Sequence, residues 1–449
     1  MSAELEKRVM RRISFRIVPF IMLLYFIAFI DRVNIGFAAL TMNKELGITT
    51  HQYGLIAGIF FFGYFIFEIP SNLLLHRIGP RVWIARILIS WGIVTVLCGF
   101  AQTAHHLYAG RFLLGFAEAG YFPGIVLYLT YWFRQRQLAQ SVALFLAANP
   151  VANILGAPFS GMILDHVHWF GLNSWRWLLI LEGAPAIVGG ALTYFLLPNR
   201  PAEAKFLTSE ERDWITTELS REEREKLATG QATAGQALLR GRVWHLAAIY
   251  FTVTIGFYSM IFWMPQLVKA MSGQESTNTT VGLLVVIPYL VGLPVMILVG
   301  RSSDRRSERR YHAAIPLIIS AASLSLVGTT TSRSIFLSVI LWCLVASGIF
   351  SLWGPFWSLP NEFLAGSSAA IGIALINCFG NLGGLVGPFA IGAISKKTGN
   401  LQPGLVFVAI SLLTGSVLIL ALRKRTAPLP GTITIGPASQ PIPTADTEP

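Results

Sequence analysis

Tyr25-Phe26-Ile27-Ala28-Phe29-Ile30-Asp31-Arg32-Val33-Asn34-Ile35-Gly36-Phe37 lies inside an apolar run from Ile17 to Leu40. A run of ~20 apolar residues is what a helix needs to cross a bilayer. This one carries a carboxylate, Asp31, and a guanidinium, Arg32, side by side. Charged groups at membrane depth are costly and face protein or a water-filled cavity rather than lipid. Asp31 follows roughly 14 residues of the run, or ~21 Å at 1.5 Å per residue, so it is not an interfacial residue. The pair is expected to face a polar cavity between helices.

The remainder of the chain fits that reading. Of 449 residues, 54% are apolar and 12% charged, and the mean hydropathy is +0.60. A soluble domain carries about 25% charged residues. Charge is confined here to short patches between long apolar runs, the pattern of an all-α polytopic membrane protein. The first run is too long for a signal-peptide core and has no small-residue cleavage pattern after it, so it reads as a retained span. The net charge of +12 sits mostly in short interhelical loops, where a role in setting topology explains it better than nucleic acid does. Cys98, Cys343 and Cys378 all fall in apolar runs and suggest neither a disulfide nor a metal framework.

Twelve spans are predicted, at roughly 17–40, 53–75, 82–101, 107–129, 138–160, 175–197, 243–267, 280–299, 311–330, 334–356, 366–394 and 402–422. The eleventh is long and glycine-rich, so a tilt or break is expected there. With both termini inside, 26 of the 34 Lys and Arg fall in or beside inside segments and 6 in or beside outside ones, leaving Arg32 and Arg111 in spans. That bias predicts cytoplasmic termini. The predicted layout is an N-terminal six-helix bundle over 1–197, a cytoplasmic linker over 198–242, a C-terminal six-helix bundle over 243–425 and a disordered tail over 426–449. In the linker, Thr208 followed by Glu211 has capping-box spacing ahead of a charged helix. Asn278-Thr279-Thr280 matches a glycosylation acceptor, which matters only in a secretory-pathway host.

The loop after span 2, Asn72-Leu73-Leu74-Leu75-His76-Arg77-Ile78-Gly79-Pro80-Arg81, and the loop after span 8, Gly300-Arg301-Ser302-Ser303-Asp304-Arg305-Arg306-Ser307-Glu308-Arg309-Arg310, occupy equivalent places in a six-plus-six chain. Both have a polar residue four after the opener, then Arg, then further basic residues. Two parallel repeats would enclose a cavity near mid-bilayer.

With these motifs the chain resembles the major facilitator superfamily. Within it, the chain resembles the anion:cation symporter family, which includes bacterial tartrate, phthalate and sugar-acid permeases. The resemblance covers all twelve spans. It rests on Phe29-Ile30-Asp31-Arg32-Val33-Asn34-Ile35-Gly36, Pro70-Ser71-Asn72-Leu73-Leu74-Leu75, and Gly110-Arg111-Phe112-Leu113-Leu114-Gly115-Phe116-Ala117-Glu118-Ala119-Gly120. Trp83-Ile84-Ala85-Arg86 and Asn377-Cys378-Phe379-Gly380-Asn381-Leu382-Gly383-Gly384 add to it. The first loop departs from the superfamily pattern, with Asn72 for Gly and His76 for Asp, whereas Asp304 keeps the acidic residue in the second.

Arg111 and Glu118 are seven residues apart, nearly two turns, and so share a helix face. Under the predicted topology Glu118 lies near mid-bilayer, Arg111 higher on the outer side and Asp31 between mid-depth and the outer leaflet. Asp31, Arg32, Arg111 and Glu118 can therefore share one polar region, and their formal charges cancel. Arg111 and Arg32 suit a substrate carboxylate, because a planar guanidinium pairs with it bidentately. Arg32 has the alternative role of holding Asp31 or Glu118 ionised until substrate competes. Asp31 and Glu118 are the expected proton carriers, since a carboxyl in a site that alternately wets and closes can load and release a proton. The competing reading is a static ion-pair network tying spans 1 and 4 together. The resemblance implies further substrate contacts at Tyr64, Asn149, Trp357 and Asn377, the last an amide that needs a partner inside a span. Glu68, His76, Arg77, Arg81, Asp304 and Arg305 are the expected gating or structural residues.

Secondary transport leads among function classes. There is no Gly-x-x-x-x-Gly-Lys-Ser/Thr loop for ATP and no His-Glu-x-x-His or nucleophile–base spacing for an enzyme. No cofactor or metal is expected. The expected function is proton-coupled symport of a small organic anion, a tartrate-like hydroxy-dicarboxylate first, across the inner (plasma) membrane by a monomer in contact with lipid. Alternatives are an exchanger or uniporter for aromatic or sugar acids and, more distantly, a membrane sensor.

Overall fold

The computed structural model describes residues 3–146, 148–228, 241–273, 275–330, 334–363, 367–422. They form seventeen α-helices and two short 3₁₀ turns. The N-terminal half holds α1 (Ala3–Glu45), α2 (Thr50–Ile78), α3 (Pro80–Cys98), α4 (Ala104–Glu118), α5 (Tyr121–Thr130), α6 (Gln135–Leu146), α7 (Ala148–His166) and α8 (Ser174–Leu196). Helix α9 (Ser209–Ala228) follows. The C-terminal half holds α10 (Gly241–Ser272), α11 (Asn278–Arg306), α12 (Arg310–Thr330), α13 (Ile335–Ser351), α14 (Trp353–Phe363), α15 (Ser367–Asn381), α16 (Gly383–Thr398) and α17 (Gln402–Ala421). Among the described residues, eleven segments are long and apolar enough to cross a membrane. Helices α6 and α7 occupy the place of the predicted fifth span. The result is an all-helical architecture of two six-span bundles.

Local sequence explains where the helices begin. Thr49 and Gln52 form a reciprocal capping box at α2, and Thr103, Thr277 and Ser334 cap α4, α11 and α13 through their hydroxyls. Each cap satisfies donors that lack a partner in the first helical turn. The predicted capping box in the linker is present: Thr208 N donates to Glu211 Oε2 at 3.0 Å, and Glu211 N to Thr208 Oγ1 at 3.3 Å. Helix α1 has 43 residues, about 65 Å at 1.5 Å each, twice the ~30 Å of a hydrocarbon core. Its charged first turns therefore extend beyond the apolar stretch. There Arg8 and Arg12 pair with Glu211 of α9, and Arg134 pairs with Glu6, Glu218 and Glu222. The linker helix is thus fastened to the N-terminal half at the near face, where α1 begins.

Two of the broken spans differ in character. The predicted eleventh span is divided at Leu382, which keeps right-handed helical angles, so α15 and α16 run nearly on. The fourth span, read as continuous from sequence, breaks sharply after Glu118. Ala119 is extended (ψ 134) and Gly120 takes a left-handed φ of +83, a conformation open to glycine at little cost. A Cβ at Gly120 would also lie 2.3 Å from Ser71 Oγ.

The halves meet along α1 with α10, α2 with α15 and α16, and α7 with α11. Contact is intimate toward the far face, where α1 ends. Tyr53 Oη donates to the Phe262 carbonyl at 2.6 Å. Asp165, at the end of α7, accepts four hydrogen bonds from the first turn of α11: Asn278 N and Nδ2 at 2.9 and 2.8 Å, and Thr279 N and Oγ1 at 2.7 Å each. A helix N-terminus favours such a carboxylate. One turn inward, a Cβ on Gly161 would come 2.4 Å from the Asn278 carbonyl, so only glycine allows α7 and α11 this close. The Asn278 amide of the glycosylation-like motif is engaged in this inter-bundle contact.

Candidate functional site

Arg32 and Glu118 form a buried ion pair between α1 and α4, with side-chain exposures of 13% and 1%. The break after Glu118 puts this carboxylate on the last residue of α4, beside peptide groups released from the helical ladder. Irregular backbone at membrane depth is tolerated where it is enclosed by protein or lines a cavity. Arg111, two turns back on α4, is 2% exposed. Its Nε and Nη2 are buried and have no hydrogen-bond partner. The charged groups acting on it are Asp31 and Glu118. Phe60 of α2 lies against both guanidiniums, 5.5 Å from Arg32 and 5.1 Å from Arg111, within cation–π range.

Asp31 points elsewhere than its neighbour Arg32. Successive helical residues are 100° apart, and Asp31 turns into the N-terminal bundle. It accepts hydrogen bonds from Asn34 Nδ2 at 2.8 Å, from Thr95 Oγ1 at 2.7 Å and from Trp91 Nε1. The four charged groups read from sequence are therefore arranged in two layers. Arg32 and Glu118 face the other bundle, Asp31 lies within its own, and Arg111 stands between them.

Tyr64 lies with its ring 5.7 Å from the Arg32 guanidinium. Asn149 sits beside Tyr25, and Asn153 Nδ2 donates to the Asn149 carbonyl at 3.1 Å. From the C-terminal bundle, Trp357 packs edge-on against Tyr250 at 5.2 Å. Asn377 Nδ2 donates across the bundle interface to Glu68 Oε1 at 3.1 Å, joining an expected substrate contact to an expected gating residue. The loop residues lie apart from this group. Arg77 and Arg305 are exposed. Arg81 donates to the Tyr194 carbonyl and stands over its ring. Asp304 pairs with Arg309 of its own loop. The side chain of His76 lies outside the described residues.

Sequence reading missed most of the tyrosines. Tyr25, Tyr258 and Tyr121 surround the Arg32–Glu118 pair, and all are buried. Tyr25 could have been found, because it lies seven residues before Arg32 on the same face of α1. Tyr258 comes from the opposite bundle, and nothing local connects it to Arg32. Among the described residues there is no group of three or more His, Cys, Asp or Glu able to hold a metal ion.

Two bundles of membrane-crossing helices with ionised side chains buried between them define a membrane transporter. The chain belongs to the Major Facilitator Superfamily, whose family model matches residues 21–388. It is 46% identical over 94% of its length to a protein of Agrobacterium vitis named "Putative tartrate transporter", covering 92% of that protein. It is 39% identical over 92% of its length to a "Quinolone resistance transporter" of Acinetobacter baumannii, covering 95% of it. The fold matches the xylose transporter XylE of E. coli with a TM-score of 0.72 at 14% identity, over 92% of this chain and 98% of that one. The resemblance read from Asp31-Arg32 and Gly110–Gly120 is thereby borne out. The protein is a multi-pass transporter of small organic substrates in the inner (plasma) membrane, and not an enzyme.

Proposed function

We propose that the chain carries a small organic anion into the cell together with protons, with a tartrate-like hydroxy-dicarboxylate as the first candidate. The single observation that carries this reading is Arg111, a guanidinium 2% exposed whose Nε and Nη2 have no partner. A buried cation left in that state is costly unless an anion completes it, and two unsatisfied N–H groups suit one carboxylate. Arg32 is the second fork. It is held by Glu118, and protonation of Glu118 frees it for a second carboxylate. Proton uptake then balances substrate charge within the site, and the inside-negative potential makes entry of an uncompensated anion unfavourable. Asp31, hydrogen-bonded inside the bundle, is the other proton carrier.

The tartrate transporter similarity supports the substrate class. A second substrate reading, an aromatic acid, is favoured by the wall of Tyr250, Trp353, Phe356 and Trp357. Under this proposal the near face is cytoplasmic, residues 1–197 and 243–425 move as two bundles, the 198–242 segment links them, and a monomer suffices. Alternating access requires the Asp165 contact at the far face to part when the site opens there.

Uptake of labelled tartrate into proteoliposomes under an imposed inward proton gradient tests this. The expected result is accumulation abolished by a protonophore. Uptake indifferent to the gradient would turn the reading toward exchange or facilitated diffusion. Competition by a panel of hydroxy, aromatic and sugar acids separates the substrate classes.

A further inference from the structure

Glu182 is a buried carboxyl that the roles above leave unused. It lies on α8 at 3% exposure. Its Oε1 accepts from Ser160 Oγ of α7 at 2.6 Å, while its Oε2 is buried with no partner. Among the described residues no cation pairs with it. Helix α8 is packed by α1, α3 and α7. From α1 the charged group whose field reaches Glu182 is Asp31. From α3 comes Thr95, which lies against Gly183, and from α7 comes Ser160. Arg111 on α4 acts on Asp31.

The neighbour of Glu182 ties it to the Asp31 layer. A Cβ on Gly183 would stand 2.8 Å from Thr95 Cβ, and the Thr95 hydroxyl donates to Asp31 Oδ2 at 2.7 Å. A helix-packing hydrogen bond from Ser160 needs only an acceptor, which an uncharged side chain supplies at far lower desolvation cost. Two carboxyls that feel one another in a water-poor interior cannot both ionise cheaply, so a proton on one lets the other carry charge.

We propose that Glu182 is a proton-handling residue of the transport cycle that acts through Asp31, holding a proton at Oε2 while Asp31 is ionised and passing that proton to the Asp31 carboxylate, with Glu182 left ionised, when Asp31 is loaded. This rests on the proton-coupled reading above. Glu182 touches no substrate; it positions the charge state of a group that does the coupling.

Glu182→Gln keeps an acceptor for Ser160 and removes the exchangeable proton. In full-length protein in proteoliposomes, gradient-driven tartrate accumulation should fall about tenfold, while tartrate counterflow at equal pH stays within about twofold. The pH profile of uptake should shift, and Glu182→Asp should restore part of the accumulation. A merely structural Glu182 would lower accumulation and counterflow together. Unchanged accumulation with an unshifted pH profile in Glu182→Gln overturns the proposal.

Infrared difference spectra give a readout independent of transport. Wild-type protein should show a deuterium-sensitive carbonyl band of a protonated carboxyl that Ser160→Ala displaces in frequency. A spectrum unchanged by Ser160→Ala overturns the proposal even if Glu182→Gln fails to fold. If wild-type uptake ignores the proton gradient, the symport reading fails on its own, and the infrared band still decides whether Glu182 holds a proton.

Discussion

The two bundles share an architecture but not a chemistry. Among the described residues, the charged side chains buried in membrane-crossing helices are Asp31, Glu68, Arg111, Glu118, Arg176 and Glu182, all between α1 and α8. Among the described side chains, helices α10 to α17 bury none. They bury hydroxyls, the Asn377 amide and an aromatic wall: Tyr250, Phe257, Tyr258 and Phe356, with Trp353 and Trp357 half-buried. Burying an ion requires partners on several sides, and one bundle provides them through α1, α3, α4 and α8. Under the proposed function the repeat separates two tasks, with anion charge and protons held by the N-terminal bundle and shape and apolar contact supplied by the C-terminal bundle.

The largest test of that division is Arg111→Ala. It should abolish tartrate binding, a loss of 100-fold or more for a buried bidentate partner, and Arg111→Lys should not restore it because a lysine lacks the planar fork. Isothermal titration or counterflow reads this directly. Retained affinity would place the anion elsewhere and dissolve the asymmetry.

Next in size is Gly120→Ala, which leaves every charged group in place. A non-glycine residue at φ +83, with its Cβ against Ser71, costs on the order of 1–3 kcal/mol. It should reduce uptake about tenfold or more and lower thermal stability, because the turn that presents Glu118 cannot form unchanged. Normal uptake would mean that the break after Glu118 does not position the ion pair.

A smaller effect is expected in the C-terminal bundle. Trp357→Ala should raise the KM for tartrate by only a few-fold while leaving the response to the proton gradient intact, as loss of an apolar contact does. A change in proton coupling instead would extend that chemistry to both bundles.

The smallest effect lies outside the membrane. Burial pushes the Glu211 carboxyl up. The Thr208 N–H together with Arg12 and Arg8 outweighs this and holds it below the usual range. A lowered folded-state value means that its contribution to docking α9 on α1 is complete above the ordinary carboxyl range and is lost as pH falls through the depressed value. Hydrogen-exchange protection over 209–228, taken relative to the intrinsic rate at each pH, should be high at neutral pH and fall only in acid. Equal protection at both would separate α9 docking from Glu211.

Much of this was legible in one dimension. Apolar runs of membrane length, the bias of basic residues and the charges inside spans 1 and 4 mark helices and depth, because desolvation acts on each residue by its own chemistry. The Thr208–Glu211 cap was equally readable, since both partners lie within one turn. The break at Ala119-Gly120 was not. Its glycine resembles the many others in spans, and the Ser71 hydroxyl that excludes a Cβ there comes from another helix.

Residue types and their spacing along the chain by themselves settle that this is a polytopic helical protein with Asp31, Arg32, Arg111 and Glu118 at membrane depth. Tertiary packing alone decides that Glu118 rather than Asp31 pairs with Arg32, that Asp31 is instead hydrogen-bonded by Trp91 and Thr95, and that Asn377 meets Glu68 across 309 residues. The physical reason is that insertion depth is a sum over single residues, whereas the partner of a buried charge depends on which helices are rotated toward it.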